Sequence, residues 1–356
     1  MSRFLNPRYE TLTPYTPGEQ PQDRRYIKLN TNESPYPPSE GVLAALNRQE
    51  GEELRLYSDP EARELKEKLA AYYGVGTENV FVSNGSDEAL NFAFMAFVPK
   101  RIAFADITYG FYRVFSELYG LQTEIIPLRE DFSLSVGDYE HTGCPCVIAN
   151  PNAPTGLLLP LSEIERLLQA DKDRLVILDE AYIDFGGVTA ISLTKRYDNL
   201  LVIQTCSKSR SLAGARLGYA VGCSALIQDL EMLRFSTNPY NVNRMTLKIG
   251  CRALEDQAYY DENCRRIIET REYTRKELER LGFHCLDSRT NFLFAEHPAI
   301  SGGTLYERLK VRGILVRYFD SPRISSFVRI TIGSREEMEV FLQMTAEILA
   351  EILADI

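Results

Sequence analysis

Residues 204–221, QTCSKSRSLAGARLGYAV, hold one lysine among several hydroxyl side chains and then lead through a small-residue turn to an arginine. Lys208 follows the apolar run 200–203, and a second apolar run covers 217–221, which predicts a buried strand on each side of the turn. The turn is rich in glycine and alanine and leads directly to Arg216. We therefore expect Lys208 and Arg216 to lie together at one end of a sheet.

The surroundings of Lys208 suggest a covalent cofactor that carries a phosphate. A lysine in a dry pocket at a strand end loses hydration, so its pKa falls and its amine can form a Schiff base. The hydroxyls of Thr205 and Ser207 and the guanidinium of Arg216 are suitable donors for a phosphate. Together these residues predict a site for pyridoxal 5'-phosphate, although an isolated lysine in a polar loop is more often an ordinary surface residue.

Length and composition limit the class of protein. The 356 residues are 44% hydrophobic and 25% charged, which suits a large domain with a smaller second one. A net charge of −10 argues against binding to nucleic acid or to an anionic membrane surface. No apolar run is long enough to span a bilayer, and the N-terminus lacks the apolar segment of a signal peptide.

Cysteine and histidine usage indicates a cytoplasmic protein without a metal. Seven cysteines is an odd number in a chain of this size, so free thiols in a reducing cytoplasm are expected rather than a set of disulfides. The three histidines are scattered along the sequence, which argues against a zinc site.

Short apolar runs alternate with amphipathic segments along most of the chain. This pattern predicts an α/β fold with a mostly parallel sheet that helices cover on both faces. Residues 1–40, rich in proline, tyrosine and asparagine, are predicted to form an ordered N-terminal arm. Residues 41–240 are expected to form the large cofactor-binding domain and residues 241–356 a smaller α+β domain.

Three local predictions are specific enough to be tested directly. The first is a single helix over residues 39–49. The second is a helix capped by Ser162, because Glu165 follows three residues later as in a capping box. The third is one continuous strand over residues 314–318.

Chemically distinctive residues fall at the ends of the predicted parallel strands, where such sheets bind their ligands. They are Asn84–Ser86, Tyr109, Asn150–Gly156, Asp179–Tyr182 and Lys208. A carboxylate at Asp179 could hold the proton of a pyridinium nitrogen, Tyr182 could bond a ring oxygen, and Tyr109 could stack on the ring. Helix capping by Asp179 or Ser86, and core packing by the two tyrosines, are the structural alternatives.

Nine motifs occur in the order and at the spacing typical of one family. They are LNTNESPYPPS, YSDP, SNGSDEAL, TYGFY, NPNAPTG, LDEAYIDF, SKSRSLAGARLGY, ILVRYF and VRITIGSREEM. The chain thereby resembles the fold-type I aminotransferases that depend on pyridoxal phosphate and, within them, the histidinol-phosphate aminotransferases. The resemblance implies a large domain with a seven-stranded sheet, a cytoplasmic homodimer and a place in histidine biosynthesis.

The resemblance also implies roles for individual residues. Lys208 resembles the lysine that binds the cofactor, Asp179 the partner of the pyridine nitrogen, and Tyr182 the donor to the ring oxygen. The implied cofactor-binding set is Gly85, Ser86, Tyr109, Asn152, Thr205, Ser207 and Arg216. For the substrate, the family pattern implies Arg329 as the group that grips the acidic end, with Arg317 as a second arginine and Asn32 in the arm.

Ser58 and Ala153 depart from the family pattern, whereas Tyr57 matches it and implies a partner subunit. Tyr57 is similar to the tyrosine that reaches the cofactor phosphate of the neighbouring subunit, while Ser58 replaces a common proline in the turn after it. The family has asparagine immediately before Pro-Thr-Gly, where this chain has Ala153. We expect either that Asn152 takes over through a shifted backbone or that Tyr182 binds the ring oxygen alone.

The implied reaction transfers the amino group of L-glutamate to imidazole-acetol phosphate, a phosphorylated small molecule, giving 2-oxoglutarate and L-histidinol phosphate. An aromatic amino acid aminotransferase and a threonine-phosphate decarboxylase share the cofactor residues and stay open as alternatives. A non-catalytic ligand sensor would not need Lys208, Asp179 and Arg329 together. A nicotinamide dehydrogenase would carry a G-x-G-x-x-G motif after its first strand, and this sequence has none there.

Overall fold

The computed structural model describes residues 2–354, which form two sheets of four or more strands surrounded by helices. The strands are β1 (Ile27–Lys28), β2 (Val80–Ser83), β3 (Arg101–Ala105), β4 (Gln122–Ile126), β5 (Cys146–Ala149), β6 (Val176–Asp179), β7 (Leu200–Thr205), β8 (Gly218–Gly222), β9 (His284–Cys285), β10 (Phe292–Glu296), β11 (Ile314–Leu315), β12 (Arg317–Tyr318) and β13 (Phe327–Thr331). The helices are α1 (Glu40–Ala45), α2 (Arg48–Glu52), α3 (Arg63–Tyr73), α4 (Ser86–Phe97), α5 (Phe111–Tyr119), α6 (Leu161–Ala170), α7 (Ser224–Thr237), α8 (Arg244–Glu255), α9 (Gln257–Arg280), α10 (Gly302–Val311) and α11 (Arg335–Ala354).

The larger sheet has seven strands in the order β2-β8-β7-β6-β5-β3-β4. Strand β8 runs antiparallel to both of its neighbours, whereas β7, β6, β5, β3 and β4 are parallel to one another. The predicted mostly parallel, seven-stranded α/β sheet is therefore confirmed. Its parallel strands end at one edge, and the residues that follow them are brought together there.

The central strands are apolar except at their carboxyl ends, because helices cover both faces of the sheet. Every residue of β6 and β7 is buried. Successive side chains along these strands enter different cores: Leu178 and Val202 pack into one, and Ile177 and Ile203 into the other. The strand ends are thus held by packing on two sides, which makes them rigid supports for a site.

Two local helix predictions are wrong in detail. The single helix predicted over 39–49 is interrupted, because the side chain of Asn47 accepts a hydrogen bond from the backbone of Glu50 and starts α2 as a new helix. The predicted cap at Ser162 is also wrong: Pro160 occupies the N-cap position and Ser162 lies inside the first turn of α6. Proline suits the start of a helix since it has no N–H to leave unsatisfied.

The smaller sheet has four strands in the order β12-β13-β10-β9, all antiparallel, and packs against α9 and α10, which in turn contact α11. The single strand predicted over 314–318 is wrong, because β12 joins this sheet while β11 pairs with β1 from the N-terminal region. The N-terminal region therefore makes backbone hydrogen bonds to the C-terminal part of the chain. The predicted boundaries at 40 and 240 stay predictions.

All seven cysteines are free thiols. Within residues 2–354, no helix combines the length and the apolar character needed to cross a membrane.

Candidate active site

A cavity of about 720 Å³ lies at the carboxyl edge of the larger sheet, between that edge, the N-terminal region and the smaller sheet. It brings together eleven of the fourteen residues that the sequence predicted for a site. These are Asn32, Ser86, Tyr109, Asp179, Tyr182, Thr205, Ser207, Lys208, Arg216, Arg317 and Arg329. Gly85, Asn152 and Tyr57 are not part of the cavity wall.

Lys208 follows β7 and projects into this cavity, where its Nζ donates a hydrogen bond to the backbone oxygen of Thr31 at 3.2 Å. The pKa of Lys208 is lowered to about 8, mainly by burial and next by the positive charge of Arg329. About a tenth of its amine is therefore neutral, and hence nucleophilic, at pH 7, which is far more than for an exposed lysine.

Asp179 is the last residue of β6 and is buried at the bottom of the cavity. Burial raises the pKa of its carboxyl group to about 6, and hydrogen bonds to the charged form oppose this rise. The hydroxyl of Tyr112 donates to Oδ2 at 2.8 Å, and the backbone N–H of Ala181 donates to Oδ1 at 3.3 Å. The carboxylate is thus fixed from two elements.

Tyr182 is connected to the N-terminal region through Asn32. Asn32 Nδ2 donates to the hydroxyl oxygen of Tyr182 at 2.9 Å, and the hydroxyl of Thr331 donates to Asn32 Oδ1 at 2.9 Å. Asn32 adopts φ 57°, a left-handed conformation that asparagine tolerates better than most residues. Burial raises the pKa of Tyr182, so its hydroxyl keeps its proton and can donate it into the cavity.

The start of α4 and the loop after β7 form a cluster of donors. Arg216 Nη2 pairs with Asp87 at 3.1 Å, and the hydroxyl of Thr205 donates to that of Ser207 at 2.9 Å. In the described part of the chain no side chain caps α4, whose N-cap residue is Gly85 rather than Ser86. Its first N–H groups therefore remain available for an anion.

Gly85 is required by this close packing. It has φ 76°, and a Cβ atom there would lie 2.6 Å from Arg216 Nη2. Only glycine allows the helix start and the guanidinium to approach so closely. The arrangement suits a phosphate that is bound by both the helix N-terminus and an arginine.

Arg329 lies on β13 and points into the cavity from the smaller sheet. Its guanidinium carbon is 5.3 Å from the ring centroid of Phe292 and 5.6 Å from that of Phe319. Nη2 donates to the backbone oxygen of Asn30, whereas Nε is buried without a hydrogen-bond partner in residues 2–354. An unsatisfied donor of this kind is expected to bind an anionic group.

Arg317 also lines the cavity, but the N-terminal region occupies its donors. Nη2 donates to the backbone oxygen of Thr16 at 3.1 Å, and Nη1 donates to that of Pro17 at 3.3 Å. An acidic substrate would have to share or replace these two bonds in order to contact Arg317.

The amide of Asn152 is fully engaged by its own loop and by the loop that follows β3. Its Oδ1 accepts from the hydroxyl of Thr108 at 2.8 Å, and its Nδ2 donates to the backbone oxygen of Ile107 and to the hydroxyl of Thr155. Ala153, in contrast, lines the cavity. A contact from Asn152 to a ring oxygen would therefore require these bonds to break.

Tyr57 lies on the surface, outside the cavity of its own chain. Its side chain is 80% exposed, and its ring stacks on that of Tyr240 with 4.4 Å between the centroids. The neighbouring side chains of Leu54 and Leu56 are exposed as well.

Sequence reasoning missed three side chains of the site. Tyr112 contacts Asp179, Asp87 binds both Tyr109 and Arg216, and Tyr15 from the N-terminal region lines the cavity. Tyr112 could have been found from the sequence, because it lies one helical turn after Tyr109 at the start of a helix and so is on the same side of that helix. Tyr15 carries no comparable local signal.

Comparisons with known proteins show the family of this chain. The family model described as aminotransferase class I and II matches residues 24–344. A histidinol-phosphate aminotransferase from Brachyspira hyodysenteriae is 49% identical over 96% of this chain and 98% of that protein. Another, from Marinomonas sp., is 52% identical over 95% of this chain and 97% of that protein.

Solved structures share the fold. A histidinol-phosphate aminotransferase from Sinorhizobium meliloti, solved in complex with pyridoxal-5'-phosphate, superposes with a TM-score of 0.88 at 23% identity and covers 100% of this chain and 99% of that one. The L-threonine-O-3-phosphate decarboxylase from Porphyromonas gingivalis gives a TM-score of 0.79 at 23% identity, over 91% and 99% of the two chains. At these identities, the two structures establish the fold alone.

Proposed function

The chain belongs to the class I and II aminotransferases, and from this premise we propose that it transfers the amino group of L-glutamate to imidazole-acetol phosphate in histidine biosynthesis. The products are L-histidinol phosphate and 2-oxoglutarate. The observation that supports this substrate most strongly is the near-full-length identity of about half to proteins named histidinol-phosphate aminotransferase.

The enzyme depends on pyridoxal 5'-phosphate, and the residues of the cavity fit this cofactor. Gly85 permits a cradle for the phosphate between the start of α4 and Arg216, with Thr205, Ser207 and Ser86 beside it. When bound, pyridoxal phosphate supplies an aldehyde for an amine and a protonated ring that withdraws electrons from the substrate α-carbon.

Three side chains in the cavity are suited to the ring of the cofactor. Asp179 holds the proton at the pyridine nitrogen, which explains why a carboxylate is buried at the end of β6. Tyr182 donates to the ring oxygen, since Asn32 already donates to its hydroxyl oxygen and leaves its proton free. Tyr109 offers its ring as a stacking surface, and its hydroxyl is anchored on Asp87 at 2.8 Å.

Lys208 moves the proton in both half-reactions. With the cofactor bound and the amine of Lys208 free, Nζ would take the proton from the substrate α-carbon and return it on the cofactor side. A pKa of about 8 suits this task, because the amine can both accept and release a proton near neutral pH.

Arg329 binds the acidic end of both substrates. A carboxylate and a phosphate each offer paired oxygens to a guanidinium, so one arginine can serve glutamate and the phosphorylated acceptor in turn. Its unpartnered Nε and its position between two phenylalanine rings support this role. Arg317 is the second arginine that binds the substrate phosphate. Asn32 forms part of the cavity wall and so lies next to the bound substrate.

Replacing Arg329 with lysine is expected to lower kcat/KM about ten- to a hundredfold in each half-reaction, since lysine keeps the charge but loses the paired donors. The two half-reactions are measured separately by stopped-flow absorbance, with glutamate for one and imidazole-acetol phosphate for the other. Arg335→Lys, at an exposed arginine paired with Glu339, is the matched control. An Arg329→Lys enzyme as fast as this control would remove Arg329 from substrate binding.

The choice of acceptor is tested by direct comparison of three reactions. Purified enzyme is given glutamate with imidazole-acetol phosphate, glutamate with phenylpyruvate, or O-phosphothreonine alone. We expect a kcat/KM for imidazole-acetol phosphate at least about a hundredfold above that for phenylpyruvate, and no release of carbon dioxide. A preference for phenylpyruvate would indicate an aromatic amino acid aminotransferase, and carbon dioxide release a threonine-phosphate decarboxylase.

Tyr57 supports a homodimer with shared sites. An exposed tyrosine among exposed leucines is the kind of surface that a second subunit covers. In that dimer, Tyr57 reaches the cofactor phosphate of the neighbouring site, which explains why it lies outside the cavity of its own chain.

The shared site predicts complementation between two inactive variants. Lys208→Ala and Tyr57→Ala chains, refolded together, form mixed dimers in which one site has both Lys208 and the neighbour's Tyr57. Random pairing should restore about a quarter of wild-type activity, because half of the dimers are mixed and each has one intact site. Restoration is measured against each variant refolded alone. No gain on mixing, with mixed dimers confirmed by mass, would contradict the sharing.

We assign the enzyme to the cytoplasm. Seven free thiols suit a reducing compartment, and the substrates are small metabolites rather than nucleic acid or membrane lipids.

A further inference from the structure

Tyr112 is fully buried in the first turn of α5, and its hydroxyl makes one hydrogen bond within residues 2–354, to Oδ2 of Asp179 at 2.8 Å. Its ring meets that of Tyr109 edge-on at 5.7 Å and that of Phe104 at 6.0 Å. Packing alone would be satisfied by phenylalanine, which fills the same space. A buried hydroxyl is costly unless it is bonded, so the bond to Asp179 is the property that distinguishes tyrosine here.

The groups around Asp179 explain what this bond does. Burial favours its neutral form, and Asp87 on α4 acts in the same direction through its negative charge. Lys208 acts in the opposite direction, as does the backbone N–H of Ala181, although that contact is long at 3.3 Å. Tyr112 is the side chain that donates directly to the carboxylate, so it favours the charged form and holds one oxygen in place.

We propose that Tyr112 is the positioning residue for Asp179: its hydroxyl keeps the carboxylate charged and oriented toward the nitrogen of the bound pyridine ring. The hydroxyl acts through Asp179 and does not touch substrate or cofactor, in agreement with its absence from the cavity wall. This inference rests on the proposed role of Asp179.

The expected result for Tyr112→Phe follows from the loss of one hydrogen bond to a charged group. Without it the neutral form of Asp179 becomes more favourable, so the carboxyl group stays protonated up to a higher pH. We expect the acid limb of the pH profile of kcat/KM to move up by about one pH unit. The dissociation constant for pyridoxal phosphate should rise roughly tenfold when it is measured near pH 5, because the charged fraction of Asp179 is then about a tenth of that in the wild type, and only about twofold at pH 7.

Tyr139→Phe is the matched control. Tyr139 is also fully buried, but its hydroxyl has no hydrogen-bond partner in residues 2–354 and it lies outside the cavity wall. Removing that hydroxyl tests the general effect of changing a buried tyrosine. We expect both the pH profile and the cofactor affinity of this variant to stay within about twofold of the wild type.

A double-mutant cycle separates action through Asp179 from a general structural effect. The dissociation constant for pyridoxal phosphate is measured for Tyr112→Phe, for Asp179→Ala and for the double variant. If Tyr112 acts through Asp179, then Tyr112→Phe has no further effect in the Asp179→Ala background. Equal effects in both backgrounds would overturn the inference, as would a Tyr112→Phe holoenzyme with an unchanged acid limb and unchanged cofactor affinity.

The same cycle distinguishes failure of this inference from failure of the proposed role of Asp179. If Asp179→Ala itself leaves cofactor affinity and turnover unchanged, the role of Asp179 fails. If Asp179→Ala is strongly impaired while Tyr112→Phe behaves like Tyr139→Phe, only the positioning role of Tyr112 fails.

Discussion

Replacing Lys208 with alanine is expected to abolish turnover, with kcat at least about 10⁴-fold below the wild type, while the protein stays folded and still binds pyridoxal phosphate. The variant loses both the amine that holds the cofactor and the base that moves the α-proton, and among residues 2–354 no other lysine lines the cavity. The cluster of donors at the start of α4, which suits the cofactor phosphate, is unchanged, so cofactor binding should persist. Turnover is measured as 2-oxoglutarate formation, and cofactor content by absorbance after gel filtration.

The control for this prediction is Lys172→Ala, at an exposed position between α6 and β6. It removes one positive charge far from the cavity and should leave kcat unchanged. A Lys208→Ala enzyme with more than about a hundredth of wild-type turnover would show that another group moves the proton. Added methylamine should restore part of the activity, since a small free amine can enter the space left by the side chain.

Replacing Asp179 with alanine is expected to have the second-largest effect, a fall in kcat of about 10²- to 10⁴-fold. The variant lacks the buried carboxylate that would hold the proton on the ring nitrogen, so the bound ring would withdraw fewer electrons. Measurement of the separate half-reactions should show that both are slowed, because each passes through the same proton transfer. An impairment confined to one half-reaction would contradict this role.

Glu180→Gln is the matched control for Asp179. Glu180 is the next residue and equally buried, but its carboxyl group is bonded to Thr189, Ala190 and Gln204, away from the cavity wall. Burial raises its pKa to about 7, so glutamine resembles its protonated form. We expect this variant to lose some thermal stability and to keep turnover within about threefold of the wild type.

Most of the larger sheet could be predicted from the sequence because its central strands are mainly apolar on both faces. The runs 200–203 and 217–221 correspond to β7 and β8, and their burial gives a signal that needs no long-range information. Lys208 and Arg216 are placed by these same strands. Residues of the site that directly follow a buried strand were therefore accessible to sequence reasoning.

The remaining features depend on contacts between distant parts of the chain. The break between β11 and β12 arises because Ile27 pairs with Ile314 across almost the whole sequence. The engagement of Arg317 by Thr16 and Pro17, and of Asn152 by Thr108, likewise depends on neighbours that local patterns do not reveal. Family motifs identify the residue types of a site, whereas tertiary packing decides which side chains are free to bind a ligand.

The most direct test of the account is to locate the covalent bond between the cofactor and the protein. Holoenzyme is reduced with borohydride, digested and analysed by mass spectrometry, with and without a prior excess of glutamate. We predict a phosphopyridoxyl group on Lys208 alone, and its loss when glutamate is added first, because the substrate amine displaces the lysine. A modification on any other lysine, or a Lys208 adduct that glutamate does not diminish, would contradict the account.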